Sequence, residues 1–513
     1  MNRDGVERLL GAAGVDGRRL RHALALLCDG RWWSLADLVR ETATSRRTIE
    51  ELLRELETER EGGRFRVPPA HWPSFQDLLA MTPPPEDPVH HLLPHYQPAL
   101  ERLRELIAKA PPARQALDHV SATPETVLRR ALLLGARFWL PGGRLLCVGD
   151  HDLTSLAVKL VHPEAEVTVV DVDDRILAYI DEQDLGVRTR WADLRLGLPA
   201  SARGHDLALT DPPYTPEGVG LFVARALEGV GEDGRVLLAY GASERTPALA
   251  LKVQNALSAL NVTYEAIYPD FNRYFGAEAI GSAADLYILR PTTRTAPAVQ
   301  SRLSQLTTAI YTHGPQSVES ATGEAAEERH LTAEPDLLVG DWPADLPQPR
   351  VKLGTWLAKP YAASVERVAI AVPPGLEAAL PRLLLATRAA QVEVHLEGPY
   401  ETPSALDPVY TFTTSETRSG PVLTATRRPR PETPAAQILR RILDTGHAKL
   451  ANTWREALIA AAAARDIRLT KNEARTLIRQ AAPWSADLPP LDTPLHHLKA
   501  LPTAIDATLS PLT

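Results

Sequence analysis

The sequence predicts an α/β protein built around an open, doubly wound parallel sheet. Short apolar runs at 145–148 and 167–170 alternate with segments of helical periodicity such as 153–161, and this alternation is typical of parallel strands joined by crossover helices. The 513 residues exceed one ordinary domain, because domains average roughly 150 residues. Hydrophobic residues make up 44% of the chain and charged residues 23%, which is close to the globular average and excludes a chain that is disordered throughout.

The first 67 residues predict a winged helix. Thr44 and Ser45 supply a helix cap, and residues 46–59 form an amphipathic second helix. A turn at Gly62-Gly63 and a short strand over 64–67 complete the pattern of helix, turn, helix and small hairpin.

The charge of that second helix argues against DNA recognition. Winged helices usually bind DNA, and a helix that contacts phosphates should be basic. Between residues 46 and 59, five glutamates oppose three arginines, and the whole chain carries a net charge of −8. We therefore expect no specific nucleic-acid partner, and we interpret this unit as a packing or dimerisation module.

A proline-rich stretch over 68–88 predicts a stiff linker. After it, His91 and His95 are four residues apart, but Pro94 opposes a helix that would bring both to one metal. We therefore expect no metal site. Helices are predicted from 98 to 140, and the strands of the sheet follow at 145–148, 167–170, 187–191, 207–210 and 234–240.

Beyond residue 293 the sequence predicts a second, smaller α/β unit. Strands at 365–372 and 392–396 flank a helix over 375–390, a hairpin spans 410–426, and the end from Pro483 is expected to be irregular. The predicted domains are 1–82 (winged helix and linker), 83–292 (central sheet), 293–433 (C-terminal α/β region) and 434–513 (helical tail).

The expected compartment is reducing and cytoplasmic. Cys28 and Cys147 cannot form a disulfide framework or a cysteine zinc site. The sequence shows neither a signal segment at Met1–Asp16 nor an apolar run near the roughly 18 residues of a membrane helix. No membrane partner is therefore expected.

Each of the first four strands of the predicted sheet ends in an acid, and open parallel sheets bind ligands at those ends. Asp171 follows Asp150 by 21 residues, the spacing at which a dinucleotide fold places the acid that holds ribose hydroxyls. No GxGxxG follows the first strand, so the loop is not shaped for a pyrophosphate. The pattern favours an adenosine ligand without phosphates, either S-adenosylmethionine or its decarboxylated form.

The motif Asp211-Pro212-Pro213-Tyr214 follows the fourth strand. The two prolines fix the loop and place an aromatic ring over the reacting centre, and the carboxylate can accept hydrogen bonds from an attacking amine. The motif resembles that of amino-methyltransferases acting on adenine or cytosine. It predicts the alkylation of a nitrogen.

Four stretches together resemble the branched-chain polyamine synthase family: GDHDLTS at 149–155, DPPYT at 211–215, DHVSATPET at 118–126 and the segment 270–289. The resemblance covers roughly residues 1–292 and implies a class I methyltransferase-like fold. It also implies transfer of aminopropyl groups from decarboxylated S-adenosylmethionine to a secondary amine of spermidine, which makes N4-bis(aminopropyl)spermidine.

Three groups of site residues are predicted. The catalytic candidates are His151, Asp152 and Asp211; the donor-binding candidates are Gly149, Asp150, Asp171 and Asp193; the amine-binding candidates are Asp118, Tyr214, Glu217 and Asp270. An amine attacks only when it is neutral, and a model amine titrates near ~10.4. The site must therefore accept a proton as well as align the reactants.

The chain departs from the family at His151, because the family motif is Gly-Asp-Asp-Asp and its central acid is regarded as catalytic. His119 also stands where the family tends to have Gln. A histidine titrates near about 6.5, so His151 can serve as the base, or it can shift the acceptor by removing a negative charge. The neighbouring Asp150 and Asp152 are expected to raise its pKa.

Two other functions stay open. The first is an N-methyltransferase that uses S-adenosylmethionine, which the Asp-Pro-Pro-Tyr motif and the winged helix favour. The second is a catalytically degenerate member that binds a nucleoside or an amine. A homodimer is possible in each case.

Overall fold

The computed structural model describes residues 3–14, 17–79, 87–243, 245–305, 309–314, 317–318, 331, 334–417 and 420–512. Three β-sheets follow one another along this part of the chain, with three, seven and six strands. Within the same residues, the helices all lack the length and hydropathy that crossing a bilayer requires.

Four helices and a small sheet form the N-terminal unit. Ser34 and Ser45 cap the third and fourth helices by accepting the backbone N–H groups of Asp37 and Thr48. The helices are α1 (Arg3–Ala13), α2 (Gly17–Leu27), α3 (Leu35–Thr42) and α4 (Arg46–Glu55); the strands β1 (Trp33–Ser34), β2 (Glu59–Glu61) and β3 (Arg64–Arg66) pair in the order β1-β3-β2.

The second helix of the predicted winged helix is shorter and less acidic than expected. It ends at Glu55, because Leu56 has an extended backbone, and Glu59 begins strand β2. Glu57 and Glu59 therefore lie outside the helix, whose three arginines face three glutamates. The excess of negative charge that the sequence assigned to this face is absent from α4.

The first half of the predicted linker is packed rather than free. Residues Pro69–Leu78 form a 3-10 helix, and Phe75 lies fully buried in the N-terminal core. Residues 80–86, which contain the run Pro83-Pro84-Pro85, lie outside the described residues.

The central sheet has the strand order β6-β5-β4-β7-β8-β10-β9. Its strands are β4 (Arg144–Val148), β5 (Glu166–Asp171), β6 (Val187–Trp191), β7 (His205–Thr210), β8 (Val230–Tyr240), β9 (Thr263–Arg273) and β10 (Ala283–Arg290). The helices are α5 (Gln97–Lys109), α6 (Pro124–Arg137), α7 (Thr154–Val161), α8 (Asp174–Glu182), α9 (Pro216–Gly229), α10 (Pro247–Ser258) and α11 (Thr295–Gln305). Strand β4 has β5 on one side and β7 on the other, which creates the crevice where open sheets bind ligands.

The five strands expected from the sequence are all present and parallel. The sequence interpretation left out β9 and β10, which extend the sheet as an antiparallel pair beside β8. An α/β fold with a largely parallel sheet is thus confirmed for the centre of the chain.

The third sheet has the order β12-β11-β13-β14-β16-β15. Its strands are β11 (Leu337–Val339), β12 (Arg350–Val351), β13 (Arg367–Val372), β14 (Gln391–Leu396), β15 (Tyr410–Thr417) and β16 (Gly420–Arg427). The helices are α12 (Leu353–Ala358), α13 (Leu380–Leu385), α14 (Pro434–Leu443), α15 (Leu450–Ala463), α16 (Lys471–Ala481) and α17 (Leu495–Leu509).

Two expectations for this region are wrong. The helix predicted over 375–390 is reduced to a 3-10 turn and α13, since the chain has already left the helix by Thr387. The end after Pro483 is not irregular, because α17 buries Leu498, Leu501 and Ile505 against the neighbouring helices. Apolar residues at helical spacing outweigh the prolines there.

The central and C-terminal sheets share one hydrophobic core. A single cluster of buried side chains contains Leu145 and Val169 of the central sheet together with Ile370 and Val394 of the third sheet. Arg382 strengthens this junction: it pairs with Asp174 of α8 at 3.2 Å, and its guanidinium lies 4.2 Å from the centre of the Trp191 ring. The C-terminal region is therefore packed onto the edge of the central sheet.

Candidate active site

A cavity of about 580 Å³ opens at the carboxyl ends of β4, β5, β6 and β7. Nine of the eleven predicted site residues line it: Asp118, Gly149, Asp150, His151, Asp152, Asp171, Asp193, Asp211 and Tyr214. The wall also includes Ile310, Tyr311 and Thr312, which lie beyond residue 292, where the sequence interpretation placed the end of the central domain.

Main-chain N–H groups hold the carboxylates at the ends of β4 and β5. Gly149 turns the chain with a φ of 73°, a conformation that favours glycine, and the next N–H, that of Asp150, donates to Asp171 Oδ2 at 3.0 Å. Asp171 Oδ1 accepts the N–H of Asp173 at 2.8 Å. The N–H of Ser155 lies 3.2 Å from Asp150 Oδ2. Both acids thereby fix the loop after β4.

Burial controls the ionisation of these two acids. It raises the pKa of Asp150 to about 8 and the pKa of Asp171 to about 6, although backbone hydrogen bonds lower both values. Asp150 is therefore largely protonated at neutral pH. A protonated carboxyl can donate a hydrogen bond as well as accept one.

Asp193, after β6, is held by Arg195 instead. Arg195 Nε and Nη2 donate to the two carboxylate oxygens at 2.8 and 2.6 Å, and Nη2 also donates to the carbonyl of Gly375 at 2.8 Å. Because Gly375 follows β13, the C-terminal region contacts a residue of the cavity wall directly. The Tyr311 ring lies 5.4 Å from the same guanidinium.

Arg130 of α6 organises the opposite end of the cavity. Its side chain is 1% exposed, and it pairs with Asp152 Oδ2 at 2.9 Å and with Asp211 Oδ2 at 2.5 Å. Nε donates to Asn272 Oδ1 at 2.8 Å. The sequence interpretation missed Arg130, although an arginine beside Val127, Ala131 and Leu134 on the apolar face of a helix was an available signal.

Two tyrosines complete this arrangement. The Tyr274 hydroxyl donates to Asp211 Oδ2 at 2.7 Å, and the Tyr214 hydroxyl donates to Asp211 Oδ1 at 3.0 Å. The two hydroxyl oxygens lie 3.0 Å apart. Burial raises the pKa of Asp211 to about 6, whereas the charge of Arg130 lowers it. Tyr274 lies in the segment 270–289 that carries the family resemblance, but it was not among the predicted site residues.

His151 lies against His119, with ring centres 4.3 Å apart and an angle of 17° between the planes. Burial lowers the pKa of His151 and lowers the pKa of His119 to about 3. The expectation that Asp150 and Asp152 raise the pKa of His151 is therefore wrong. Asp152 pairs with Arg130 and accepts the N–H of Ala122, and Asp150 accepts the N–H of Ser155. Neither carboxylate hydrogen-bonds to His151, and burial keeps both imidazoles neutral at pH 7.

The other three amine-binding candidates, Asp118, Glu217 and Asp270, have different positions. Asp118 lines the cavity, but its carboxylate accepts the N–H and hydroxyl of Thr312 at 2.6 and 2.7 Å, so it anchors the segment around Thr312 on the cavity wall. Asp270 pairs with Arg19 of α2 at 3.0 Å. Neither Asp270 nor Glu217, in the first turn of α9, belongs to the cavity wall.

Residues 98–320 match the family model described as the branched-chain polyamine synthase A C-terminal domain. An uncharacterized protein of Methanocaldococcus jannaschii is 35% identical over 192 residues, which cover 36% of this chain and 49% of that protein. The N(4)-bis(aminopropyl)spermidine synthase of the same organism is 32% identical over 191 residues, covering 36% and 54%. The chain thus spans about half the length of the curated relatives it matches.

Among solved structures, the branched-chain polyamine synthase of Thermus thermophilus, in complex with N4-aminopropylspermidine and 5'-methylthioadenosine, is 21% identical with a TM-score of 0.42. That similarity covers 62% of this chain and 99% of the other. The family match begins later than the expected range of 1–292 and ends 28 residues beyond it, so that it includes the cavity residues 310–313. The resemblance seen in the sequence is confirmed as a similarity: residues 98–320 match the C-terminal domain of branched-chain polyamine synthase A.

Proposed function

We propose that this protein transfers an aminopropyl group from decarboxylated S-adenosylmethionine to an amine nitrogen of a polyamine such as spermidine. The observation that carries the proposal is the cavity itself. It brings Asp152, Asp211 and Tyr214 together around Arg130, within the segment that matches the family. Curated relatives of this chain are named N(4)-bis(aminopropyl)spermidine synthases.

The donor nucleoside is proposed to bind at the ends of β4, β5 and β6. Asp171 would accept the ribose hydroxyls, and Gly149 and Asp150 would shape the loop beneath them. Asp193, fixed by Arg195, would accept a hydrogen bond from the amino group of the base. A phosphate-free donor suits these acids, since carboxylates would repel a pyrophosphate.

In the proposed step, the lone pair of the acceptor nitrogen attacks the aminopropyl carbon that is bonded to sulfur. The carbon–sulfur bond breaks, its electron pair moves to sulfur, and 5'-methylthioadenosine leaves as a neutral thioether. The proton that the acceptor nitrogen carries at neutral pH must go to a base before the attack, because only the neutral amine has a free lone pair. We assign that role to His151, because burial lowers its pKa and keeps the imidazole neutral.

Asp152 and Asp211 would attract the cationic acceptor and hold its nitrogen in line with the carbon–sulfur bond. Tyr214 would orient Asp211 and contact the acceptor. Asp118 remains a proposed outer contact, whereas we assign no substrate contact to Glu217 and Asp270 because both lie off the cavity wall.

We further propose that the N-terminal unit is a winged helix that supports the cavity rim instead of binding DNA. Arg46 of α4 pairs with Glu278 at 2.8 Å, and Glu51 pairs with Arg245 at 2.5 Å. Beside them, Ala43 approaches Gly281 so closely that a Cβ there would lie 2.6 Å from its carbonyl. Part of the face that would read DNA thus contacts the central unit, next to Ala277 and Ile280 of the cavity wall.

The test is to incubate the purified full-length chain with each donor and a panel of polyamines and to follow the products by mass spectrometry. Addition of aminopropyl groups to spermidine with the decarboxylated donor supports the proposal. Methyl transfer from S-adenosylmethionine would replace it with the N-methyltransferase function that the Asp-Pro-Pro-Tyr motif favours. Binding of both ligands without any product would identify a catalytically degenerate binder.

A further inference from the structure

A second cluster of chemically competent side chains lies outside the cavity, where the C-terminal tail meets α8. His496 Nε2 and His497 Nε2, in the first turn of α17, each lie 2.9 Å from Asp181 Oδ2. The three ligand atoms all lie within 4.8 Å of one another. The proposed aminopropyl transfer uses none of these residues.

The cluster has room beside it. A small cavity of about 130 Å³ is lined by Asp181, Thr189, Trp484 and His497, among others. The side chains of Asp181, His496 and His497 are 17%, 31% and 12% exposed. An ion and one or two water ligands can therefore reach the cluster without unfolding of either helix.

We propose that Asp181, His496 and His497 form a binding site for a divalent transition metal of the zinc class, which links the C-terminal helical tail to the central sheet. Two imidazoles and one carboxylate are a donor set that suits zinc and other late first-row metals, while magnesium and calcium prefer all-oxygen sites. This site is separate from the proposed active site.

The interatomic distances fit such an ion after a small outward shift. Zinc ligands lie about 2.0–2.2 Å from the metal, so ligand atoms around a tetrahedral ion are roughly 3.4 Å apart. The present separations of 2.9 Å between Asp181 Oδ2 and each imidazole nitrogen are hydrogen-bond distances. A metal would replace both hydrogen bonds: Nε2 of each ring, which now donates to Asp181, would instead bind the ion, and the proton of each neutral ring would move to Nδ1.

Neighbouring groups already orient two of the ligands. The Thr189 hydroxyl donates to Asp181 Oδ2 at 2.7 Å, and the Trp484 ring stacks on His497 with centres 4.1 Å apart. Contacts of this kind tune metal affinity by about 10–100-fold.

Positive charges nearby oppose the site only in part. Arg188 and Arg190 line the same small cavity. Arg188 is paired with Glu166 at 2.7 Å, and Arg190 Nη1 donates to the carbonyl of Thr189 at 2.9 Å. Asp487, on the same wall, supplies a second carboxylate, which is paired with Lys449 at 3.1 Å. Because these positive and negative charges partly cancel, metal binding at the site would depend more on its imidazole donors than on net negative charge.

The experiment uses the full-length chain after treatment with a chelator. Zn²⁺ is titrated by calorimetry, Co²⁺ is followed by its visible absorption, and the melting temperature Tm is measured with and without Zn²⁺. We expect one equivalent per chain, a tetrahedral Co²⁺ spectrum, and a Tm that rises with Zn²⁺ because only the folded state presents all three ligands.

Substitutions then locate the ligands. His496→Ala, His497→Ala and Asp181→Asn should each weaken Zn²⁺ binding by more than about 100-fold, beyond the range of supporting contacts. His91→Ala/His95→Ala is the matched control, since it removes two exposed histidines four residues apart, and it should leave the affinity unchanged.

Either of two results would overturn the proposal: a wild-type chain that binds no Zn²⁺ equivalent, or a site abolished by the His91→Ala/His95→Ala control but not by His496→Ala. His496→Ala removes the most exposed of the three side chains, so folding is least at risk there, and a circular dichroism spectrum verifies it. Because binding and Tm are measured without substrate, failure here leaves the proposed transferase activity untouched, and the converse also holds.

Discussion

The two ends of the cavity hold the same type of side chain in different ways. At the end formed by β4 and β5, backbone N–H groups bind Asp150 and Asp171, and no arginine pairs with either in the described residues. At the other end, one buried guanidinium serves both Asp152 and Asp211. The first end therefore contains an acid whose pKa reaches about 8, whereas the second end keeps a buried ion pair.

This difference separates two tasks. A nucleoside presents neutral hydroxyl and amino groups, which hydrogen bonds can recognise without a full charge. An amine acceptor and a sulfonium donor carry positive charge, and they need carboxylates that stay ionised. The cavity can do both because Arg130 pairs with Asp152 and Asp211 at one end, whereas backbone N–H groups hold Asp150 and Asp171 at the other.

The largest effect is expected for Arg130→Met. Losing the guanidinium leaves Asp152 and Asp211 buried without a counter-charge, which costs about 3–5 kcal/mol when one partner of a buried pair is removed. We expect a matching fall in the free energy of unfolding, measured with urea, and loss of turnover.

Arg129→Met is the matched control. Arg129 is adjacent in sequence and pairs with Asp87, but its side chain is 15% exposed. Its substitution should cost much less and should preserve activity. Equal costs for the two variants would contradict the special role of Arg130.

His151→Ala tests the proposed base, which lies at the end of the cavity that holds Arg130, Asp152 and Asp211. Removing a general base typically slows turnover by about 10²–10⁴-fold, and donor affinity should stay nearly unchanged. Since burial lowers the pKa of His151, its base form already predominates near pH 6.5, so the wild-type rate attributable to this group should be flat above that pH. His151→Asp, which restores the family motif, should retain activity toward spermidine; a His151→Ala variant as active as wild type would assign the base to Asp152 or Asp211.

Asp171→Ala tests the end of the cavity where backbone N–H groups hold Asp150 and Asp171. We expect donor affinity, measured by calorimetry with methylthioadenosine, to fall by about 1.5–3 kcal/mol, the range for hydrogen bonds that involve charged groups. Because Asp171 also accepts the N–H of Asp150, Asp171→Asn is the milder companion: it keeps an acceptor for one N–H. Unchanged affinity in both variants would place the ribose elsewhere.

Asp150→Asn should change how stability depends on pH. The pKa of Asp150 is raised in the folded state to about 8, so the folded chain binds more protons than the unfolded chain between about pH 4 and pH 8. Stability attributable to this group therefore falls as pH rises through that window, with a slope of up to about 1.4 kcal/mol per pH unit. The asparagine variant should remove this slope in urea unfolding measured from pH 5 to pH 8.5; the slope of the Asp206→Asn variant, which alters an exposed acid, should match wild type.

The sequence predicted the parallel sheet and most of the cavity for one physical reason: short apolar strands followed by acids are local patterns, and parallel strands bring their ends together. It did not predict β9 and β10. Strand β9 lies at the sheet edge and exposes Tyr264 and Ile267, so it lacks a buried strand's continuous apolar run. Strand β10 has such a run over 286–289, a local signal that the sequence interpretation left unused. Arg195 was missed although its main partner, Asp193, is only two residues away. The sequence interpretation also missed Arg130 and Thr312, because their roles depend on contacts with residues far along the chain. The expectation that the pKa of His151 is raised was wrong for the same reason. Asp150 and Asp152 are adjacent to it in sequence, but other groups hold their carboxylates in the folded structure.

The smallest effect is expected for Tyr274→Phe. This variant tests whether the ionisation of Asp211 depends on the Arg130 guanidinium alone. The phenylalanine removes the hydrogen bond from the Tyr274 hydroxyl to Asp211 Oδ2 at 2.7 Å but leaves the ion pair with Arg130, so the loss of stability should be about 0.5–1.5 kcal/mol. That hydrogen bond lowers the pKa of Asp211. Its removal should therefore raise this pKa further above about 6, and the acid limb of the pH dependence of kcat should move to higher pH.

Tyr214→Phe, which removes the bond to the other carboxylate oxygen at 3.0 Å, is the matched comparison. If neither variant moves the acid limb, Arg130 by itself sets the ionisation of Asp211, and the contrast between the two ends rests on a single side chain.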